Sequence, residues 1–592
     1  LDSSIDTSLP TEVAEGIQAL KNYFGADYAS VLSEVTPRHG ELSSFDLILP
    51  TDYLDVDRIL QIGFPRTFPN KGLNLSLIPS PGLDWPHNLN ETLCLFGIGQ
   101  NPPYGNSVDV VIETMIRLGD LIKVVIKDGD SAGLLKEFQS EITNFWQHQL
   151  SRANQQLILL NLPESSCELM ALSDQRWRPS LGEQYVWLGR TAESIQNHLR
   201  RLSSDTNFKI NAPGKAAYYI VLATIPNVKI PKPSNLVDWL KPHVTEAEST
   251  SFNKWLKESS GYPLRWVVLK LPDSSIVLQA IGLRQNGLKP SSSITYGKRA
   301  DKRFGNNRKQ NLSGSLSYTP VHVIDPALIH SRNPTYKTSV TNTKKVLMVG
   351  VGSLGSKVTL ELIKEGVEHI HLVDPDFLAD ANLGRHILGA DDLGRNKAVA
   401  LREMINRDMP LVKVTINDDF LETVVLDKPS FLEQFDLIVI TTANAWSEAF
   451  LWRTFKSKGA KWALVQAWSE PYAFVGHALA APIEQSADAT SLFDASGNFK
   501  YAFTEFPDHG HIPLPGCGIG FVPGGPLGLS QIAAMTTQLA LDCLVDKVKQ
   551  PTWRYWIGNS TLAAEYKGKY IGPATDGAIS ATFSKTWPGC ST

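Results

Sequence analysis

Apolar runs of strand length alternate with amphipathic stretches through most of this chain, and the pattern changes with position. Residues 346–349 and 437–440 are unbroken apolar runs, the signature of strands covered on both faces. From residue 344 onward such runs alternate with helix-period segments, which predicts a parallel, doubly wound, Rossmann-like α/β sheet. The first 150 residues read differently: a helix over 11–23, strands near 44–49, 58–63 and 73–78, then helices over 108–126 and 132–148, a compact α+β unit. Between them, strands at 218–223 and 266–271 and helices at 234–240 and 246–257 predict a mixed α/β domain without a recognisable site. Three domains are therefore expected in 592 residues, at 1–150, 151–324 and 325–592. The basic, turn-rich stretch at 296–309 reads as a solvated connector, since only one aromatic ring interleaves its charges after Tyr296.

Composition narrows the class without deciding it. With 42% hydrophobic residues, 20% charged residues and a formal charge of -4, nothing calls for nucleic acid or a membrane surface as partner. The apolar runs fall far short of the roughly 20 residues that cross a bilayer. The opening Leu1-Asp2-Ser3-Ser4 has no basic segment followed by an apolar one, so no secretion signal is expected, and the missing Met is consistent with a trimmed start. Cys94, Cys167, Cys517, Cys543 and Cys590 are scattered, odd in number and without a CxxC pair, which fits a reducing cytoplasm and excludes a tetrathiolate zinc site.

The first chemistry lies after the apolar run at 345–349, which leads into Gly350-Val351-Gly352-Ser353-Leu354-Gly355 and a helix to about residue 365. Glycines at 350, 352 and 355 let the backbone approach a phosphate chain, and the helix start supplies free N–H groups. Asp374 ends the next strand, 24 residues after Gly350, where a carboxylate can accept from ribose hydroxyls. That placement suits NAD and ATP equally. The following stretch, with Asn382, Arg385 and Lys397, separates them: hydride transfer has no need of these groups, whereas attack of a carboxylate on an α-phosphate needs cations to spread developing charge.

At these residues, from 325 to about 545, the chain resembles the ubiquitin-activating superfamily, whose members also activate the sulfur carriers of thiamine and molybdopterin synthesis. The resemblance implies ATP and Mg as cofactors, Asp374 on the ribose, and Asn382, Arg385 and Lys397 on the phosphates. It also implies that Arg332 reaches the nucleotide, in many members from a partner subunit, and hence a homodimer; an exposed residue in a turn is an equal reading of Arg332. Relatives often carry a Mg-binding Asp after the strand near 436–442, where this chain reads Thr441-Thr442-Ala443-Asn444, so no metal ligand is assigned.

An acyl adenylate hydrolyses unless a stronger nucleophile intercepts it, and thiolate is the usual choice. Cys517 lies in Pro513-Leu514-Pro515-Gly516-Cys517-Gly518, ahead of a long helix, whereas Cys543 sits in an apolar periodic stretch as structural cysteines do. Cys517 is therefore the expected thioester-forming residue, a position that also resembles the catalytic cysteine of bacterial activating domains. Nearby His509 and His511 read as exposed loop residues. Cys94 follows Pro86-His87-Asn88 and a short polar link, and residues 10–148 resemble a ubiquitin-conjugating domain. That implies Cys94 as a second acyl carrier and Asn88 as an oxyanion donor; a small core residue between Leu93 and Leu95 is the other reading.

The two domains in this order, with Asn382-Leu383-Gly384-Arg385-His386 and Gly476-His477-Ala478-Leu479, resemble bacterial ligase-like proteins associated with cGAS/DncV-like nucleotidyltransferases in cyclic-oligonucleotide anti-phage systems. The resemblance implies that the substrate is the C-terminus of the companion nucleotidyltransferase, joined to an unspecified amine. Three rivals stand beside it: an activator of a ubiquitin-like or sulfur-carrier protein, an NAD-dependent oxidoreductase, and a non-catalytic scaffold.

Overall fold

The computed structural model describes residues 9–89, 91–96, 106–153, 155–173, 184–202, 213–226, 228–272, 278–285, 314–333, 340–458, 460–483, 487–513, 520–575 and 577–588. The basic stretch at 296–309, Cys517 and Cys590 lie outside the described residues. The chain forms two compact units, Leu1–Ile158 with Pro163–Arg190 and Ala212–His322, and Leu159–Leu162 with Thr191–Asn211 and Val323–Thr592.

The first unit begins with an antiparallel meander of Leu32–Val35, Glu41–Ile48, Ile59–Pro65 and Asn74–Ile78. Period-2 patterning drives it: Leu60, Ile62 and Phe64 are fully buried and pack with Val13 and Leu20 of the helix Thr11–Phe24 and Val111 and Leu118 of the helix Ser107–Val125. The predicted helix over 132–148 is two helices, Ser131–Ser140 and Ile142–Gln149, which break at Glu141. The rest of the unit is a mixed sheet in which Gly314–Thr319, Leu278–Gln285, Leu264–Lys270, Gly214–Val221, Cys167–Ser173 and Gln184–Gly189 are successive neighbours. The helix Glu246–Glu258 is started there by a capping box between Thr245 and Glu248, which satisfies two end donors reciprocally.

The second unit is the doubly wound sheet. Its strands stand in the order Lys413–Asn417, His369–Val373, Lys345–Val349, Leu437–Ile440, Ala463–Ser469, all parallel, followed by antiparallel Val475–Ala481, Thr552–Ile557 and Ala581–Thr586. Alternate residues feed opposite faces: Val346, Met348, Leu437 and Val439 pack in one core, Leu347, Val349, Ile438 and Ile440 in the other. Such two-sided burial, worth about 1.5–3 kcal/mol per large apolar side chain, explains why these runs lack polar residues. Helices Gly355–Lys364, Lys397–Asp408 and Pro526–Leu544 cover the first face, and Ala445–Lys458 lies on the second. Chain order reverses at Lys345–Val349, whose neighbours are the second and fourth parallel strands, so a crevice opens beyond its carboxyl end. Among the described residues no helix is long and apolar enough to cross a membrane.

Candidate functional site: a nucleotide crevice and an exposed cysteine

Gly350 leaves the central strand at φ +82°, a left-handed conformation that glycine adopts without strain, and its N–H donates to Val373 carbonyl at 2.8 Å. At Gly355 a side chain is excluded: a Cβ would lie 2.0 Å from the Gly350 carbonyl oxygen and 2.4 Å from Thr441 Oγ1. A Cβ at Gly352 would meet nothing within 4 Å, so the middle of the loop is open. The helix Gly355–Lys364 has no side-chain cap at its start, which leaves its first N–H groups and positive dipole end available to an anion. Gly355→Ala is expected to weaken ATP binding and to destabilise the unit by about 1–3 kcal/mol through this overpacking. Calorimetric melting together with nucleotide titration checks it; an unchanged loop affinity contradicts the close approach.

Asp374 is buried at the end of the second strand and fastens the loop, with Oδ2 accepting from Val351 N–H at 2.6 Å and Oδ1 from Asp376 N–H at 2.9 Å. Burial raises its pKa, and those amides together with Lys397 oppose the shift. Each oxygen still has a lone pair for a hydroxyl donor. Lys397 is the first residue of its helix, where the dipole disfavours a cation, and it is buried nonetheless, with Nζ 2.9 Å from Asp376 Oδ2. Asn396 caps the same helix through Val399 N–H at 3.0 Å and donates to the Asp374 carbonyl at 2.9 Å, which ties the lysine to the end of the strand His369–Val373.

Asn382 Oδ1 accepts from Ala379 N–H at 3.0 Å, shaping the turn that presents Arg385. Arg385 Nε is buried and has no hydrogen-bond partner among the described residues. His386, next in sequence, fixes that turn to the glycine loop: Nε2 donates to the Val351 carbonyl at 2.8 Å and Nδ1 accepts from Leu388 N–H at 3.1 Å. Burial lowers its pKa, with Lys397 and Lys357 acting in the same direction, so the ring is neutral as this bonding requires. Sequence reasoning passed over His386, Asp376 and Asn396 as individual site residues; only a polar residue held to a strand end by both backbone and side chain marks them out.

Hydrogen bonds thus join the loop Gly350–Gly355 to Asp374 and, through His386, to the turn that carries Asn382 and Arg385, while Lys397 lies beside Asp376. Arg332 does not join them within its own chain. It is exposed just past the helix Pro326–Ile329, and Asn333 beside it bonds Glu365, at the far end of the helix that starts at Gly355. At 1.5 Å per residue that helix separates its two ends by about 15 Å. Among the described residues no group of three His, Cys, Asp or Glu side chains is arranged to hold a metal ion. After the strand Leu437–Ile440 comes the half-buried Glu448, whose carboxyl pKa desolvation pushes up to about 7. A trough of about 590 Å³ runs from Ala443 past Glu448 and Thr504 to His509 and Val522, which flank in sequence the segment containing Cys517.

In the first unit, Cys94 is exposed after the short hairpin of Asn88–Leu89 and Thr92–Leu93, and its N–H donates to the His87 carbonyl at 2.7 Å. Asn88 is buried, and its Nδ2 donates to the Gly82 carbonyl at 2.7 Å, so the side chain points into the fold where the expected oxyanion donor would face outward. His87 instead locks the hairpin to the helix Ser131–Ser140 and to the break after it: Nε2 lies 3.0 Å from Glu137 Oε2 and Nδ1 3.0 Å from Glu141 Oε1. Burial alone would lower its pKa, but the hydrogen bonds to Glu141 and Glu137 outweigh it and raise the value from 6.5 to about 9. The stabilisation from this raised pKa is complete below 6.5 and is lost as pH rises through about 9; the full shift corresponds to about 3 kcal/mol, which solvent screening of the partly exposed pair reduces. Calorimetry across that window should show the parent losing melting temperature relative to His87→Gln; parallel curves contradict the ion pair.

Residues 334–480 match the model of the ThiF family. Over 248 residues the chain is 30% identical to the ATP-dependent ubiquitin transferase-like protein Cap2 of Enterobacter hormaechei, covering 40% of this chain and 39% of that protein. It is 23% identical over 337 residues to the Cap2 of Escherichia coli, covering 52% and 54%, and 30% identical over 187 residues to the probable adenylyltransferase/sulfurtransferase MoeZ of Mycobacterium tuberculosis, covering 31% and 43%. The chain thus spans 39% to 54% of the length of these curated relatives. Among solved structures, E. coli MccB with MccA-N7isoASN matches at a TM-score of 0.29 and 16% identity, covering 43% of this chain and 74% of that one.

Proposed function

We propose that the second unit binds ATP in the crevice beyond Lys345–Val349 and adenylates the terminal carboxylate of a protein. The observation that carries this reading is a set of anion-seeking groups in one place: the uncapped helix start at Gly355, the buried Lys397 and the unpaired Nε of Arg385. A carboxylate oxygen attacks the α-phosphorus, pyrophosphate leaves, and the cations spread the charge that develops on the phosphoryl oxygens. Asp374 accepts from the ribose and Asn382 shapes the turn beside the phosphates. With no metal-holding cluster among the described residues, Mg bound with ATP would be held mainly by phosphate oxygens and water and would supply screening of the phosphate charge. Similarity to Cap2 and MoeZ, both described as transferases, supports activation for transfer over hydride chemistry.

The remaining steps rest on the same reading. Cys517 thiolate attacks the acyl carbon and AMP leaves; Cys94 thiolate then takes the acyl group and frees Cys517; an amine attacks, Cys94 leaves as thiolate, and the amine gives up a proton as the amide forms. Exposure of Cys94 on a hairpin held by His87, and the helix–meander–helix order around it, support residues 1–150 as a ubiquitin-conjugating-like domain, with 151–324 between it and the activating domain at 325–592. The protein activated is a cGAS/DncV-like nucleotidyltransferase of a cytoplasmic anti-phage system, and a homodimer brings Arg332 of one copy toward the nucleotide of the other. Exchange of labelled pyrophosphate into ATP, stimulated by a peptide copying the nucleotidyltransferase's end, tests the first step. Bound nicotinamide in place of exchange returns the site to the oxidoreductase reading.

A further inference from the structure

A cavity of about 320 Å³ adjoins the 590 Å³ trough and shares Ala445, Glu448, Phe493 and Gly497 with it. Its walls combine aromatic surface from Trp446, Trp452 and Phe493 with the carboxylates of Glu448 and Asp494. Trp446 is 83% exposed, unusual for so large an apolar side chain in the first turn of a helix. Glu448 is anchored by one oxygen only: Gln466 Nε2 donates to its Oε2 at 2.7 Å, and Gln466 is itself held by Trp452 Nε1 at 2.5 Å. The other oxygen, Oε1, is buried without a hydrogen-bond partner among the described residues. The Thr442 hydroxyl and the Ala443 and Asn444 amides favour the charged form from nearby, but none makes a well-aligned bond to Oε1.

A buried acceptor left unpaired costs about 1–3 kcal/mol, more when charged, unless a ligand supplies the donor. The setting says which donor. Asp494 spends its oxygens on Ser496 and Asn498 N–H and on Asn498 Nδ2, so Glu448 holds the open acceptor. The exposed Arg453 also lines the cavity; two carboxylates against one guanidinium leave it one negative charge when both acids are ionised. Faces of Trp beside a carboxylate suit a cation, which gains from both. Position adds the source. Thr442 abuts Gly350, with its Cα 3.0 Å from where a Cβ there would stand, and Glu448 lies on the helix that starts three residues further on. On the adenylation reading a peptide's carboxylate reaches the glycine loop beside Thr442, and its preceding side chains pass this opening.

We propose that this cavity is a specificity pocket for a lysine or arginine side chain close to the substrate's carboxyl end, with Glu448 as its counter-ion and Trp446 as its aromatic face. This rests on the adenylation reading for its substrate but not for its binding chemistry. Isothermal titration of the full chain with n-butylguanidinium and its neutral isostere n-butylurea separates the two. The guanidinium should bind, the urea about tenfold or more weaker, and Glu448→Gln should cut guanidinium affinity about tenfold or more while ATP affinity holds. Trp446→Ala, on the surface and without risk to the core, should weaken the guanidinium several-fold through the lost cation–π face. No binding of either probe, equal binding of both, or full affinity in both variants would overturn the pocket. Guanidinium binding through Glu448 in a chain that exchanges no pyrophosphate with any peptide would sink the adenylation reading and leave the pocket standing.

Discussion

Lys397→Met should lower peptide-stimulated pyrophosphate exchange by about 10²- to 10³-fold and leave melting temperature almost unchanged, the range seen when one preorganised donor to a developing oxyanion is removed. Methionine keeps the length and apolar stem of the lysine, so packing within the helix Lys397–Asp408 is conserved. What disappears is the ammonium, 2.9 Å from Asp376 in a place where the helix dipole opposes it. Its partner Asp376 is 67% exposed and can be solvated without the ammonium, so loss of this ion pair costs folding little; on the proposed reading the cation serves transition-state charge. Lys397→Arg should recover little, because a guanidinium fork does not match the single point of charge that the ammonium offers. Steady-state exchange with each variant checks this, and a Lys397→Met enzyme at full rate would show that the buried cation is structural.

The second large effect concerns the cysteines. Cys517→Ala should abolish the dithiothreitol-sensitive adduct completely while exchange stays within about threefold, since activation precedes thiol capture. Cys94→Ala should spare that adduct and stop transfer to amines. Denaturing gels with and without reductant, run beside the exchange assay, distinguish the steps. Normal conjugation by both variants would end the relay.

Much of the second unit could be read from residue pattern. Unbroken apolar runs at 346–349 and 437–440 are strands because both faces are covered, and the glycine spacing implied a loop whose tightest position, Gly355, has no room for a methyl group. Asp374 and Lys397 were legible as charged residues at strand and helix ends. Their partners were not: Asp376 and Asn396 look like ordinary turn residues until the backbone folds them onto Lys397 and Asp374. His386 was visible in its motif, yet its bond to the Val351 carbonyl joins residues 35 apart, which spacing alone cannot supply. The helix expected over 132–148 has continuous helical periodicity and still breaks at Glu141, whose carboxylate is claimed by His87. Asn88 kept the residue type expected of an oxyanion donor but turned inward to Gly82, a difference of side-chain direction that no sequence motif encodes. Within its own chain Arg332 stands near the far end of the helix Gly355–Lys364, next to Asn333 and its bond to Glu365.

On the proposed reading a carboxylate oxygen attacks the α-phosphorus of ATP in the crevice at Gly350–Gly355. Peptide labelled with ¹⁸O in its terminal carboxylate, turned over with ATP and a thiol acceptor, tests it at the bond itself. AMP carrying one ¹⁸O, recovered in step with thioester, is the expected result. Unlabelled AMP, or ADP and phosphate in its place, would mean that water or another phosphorus centre is the site of attack, and the account of this crevice would be wrong.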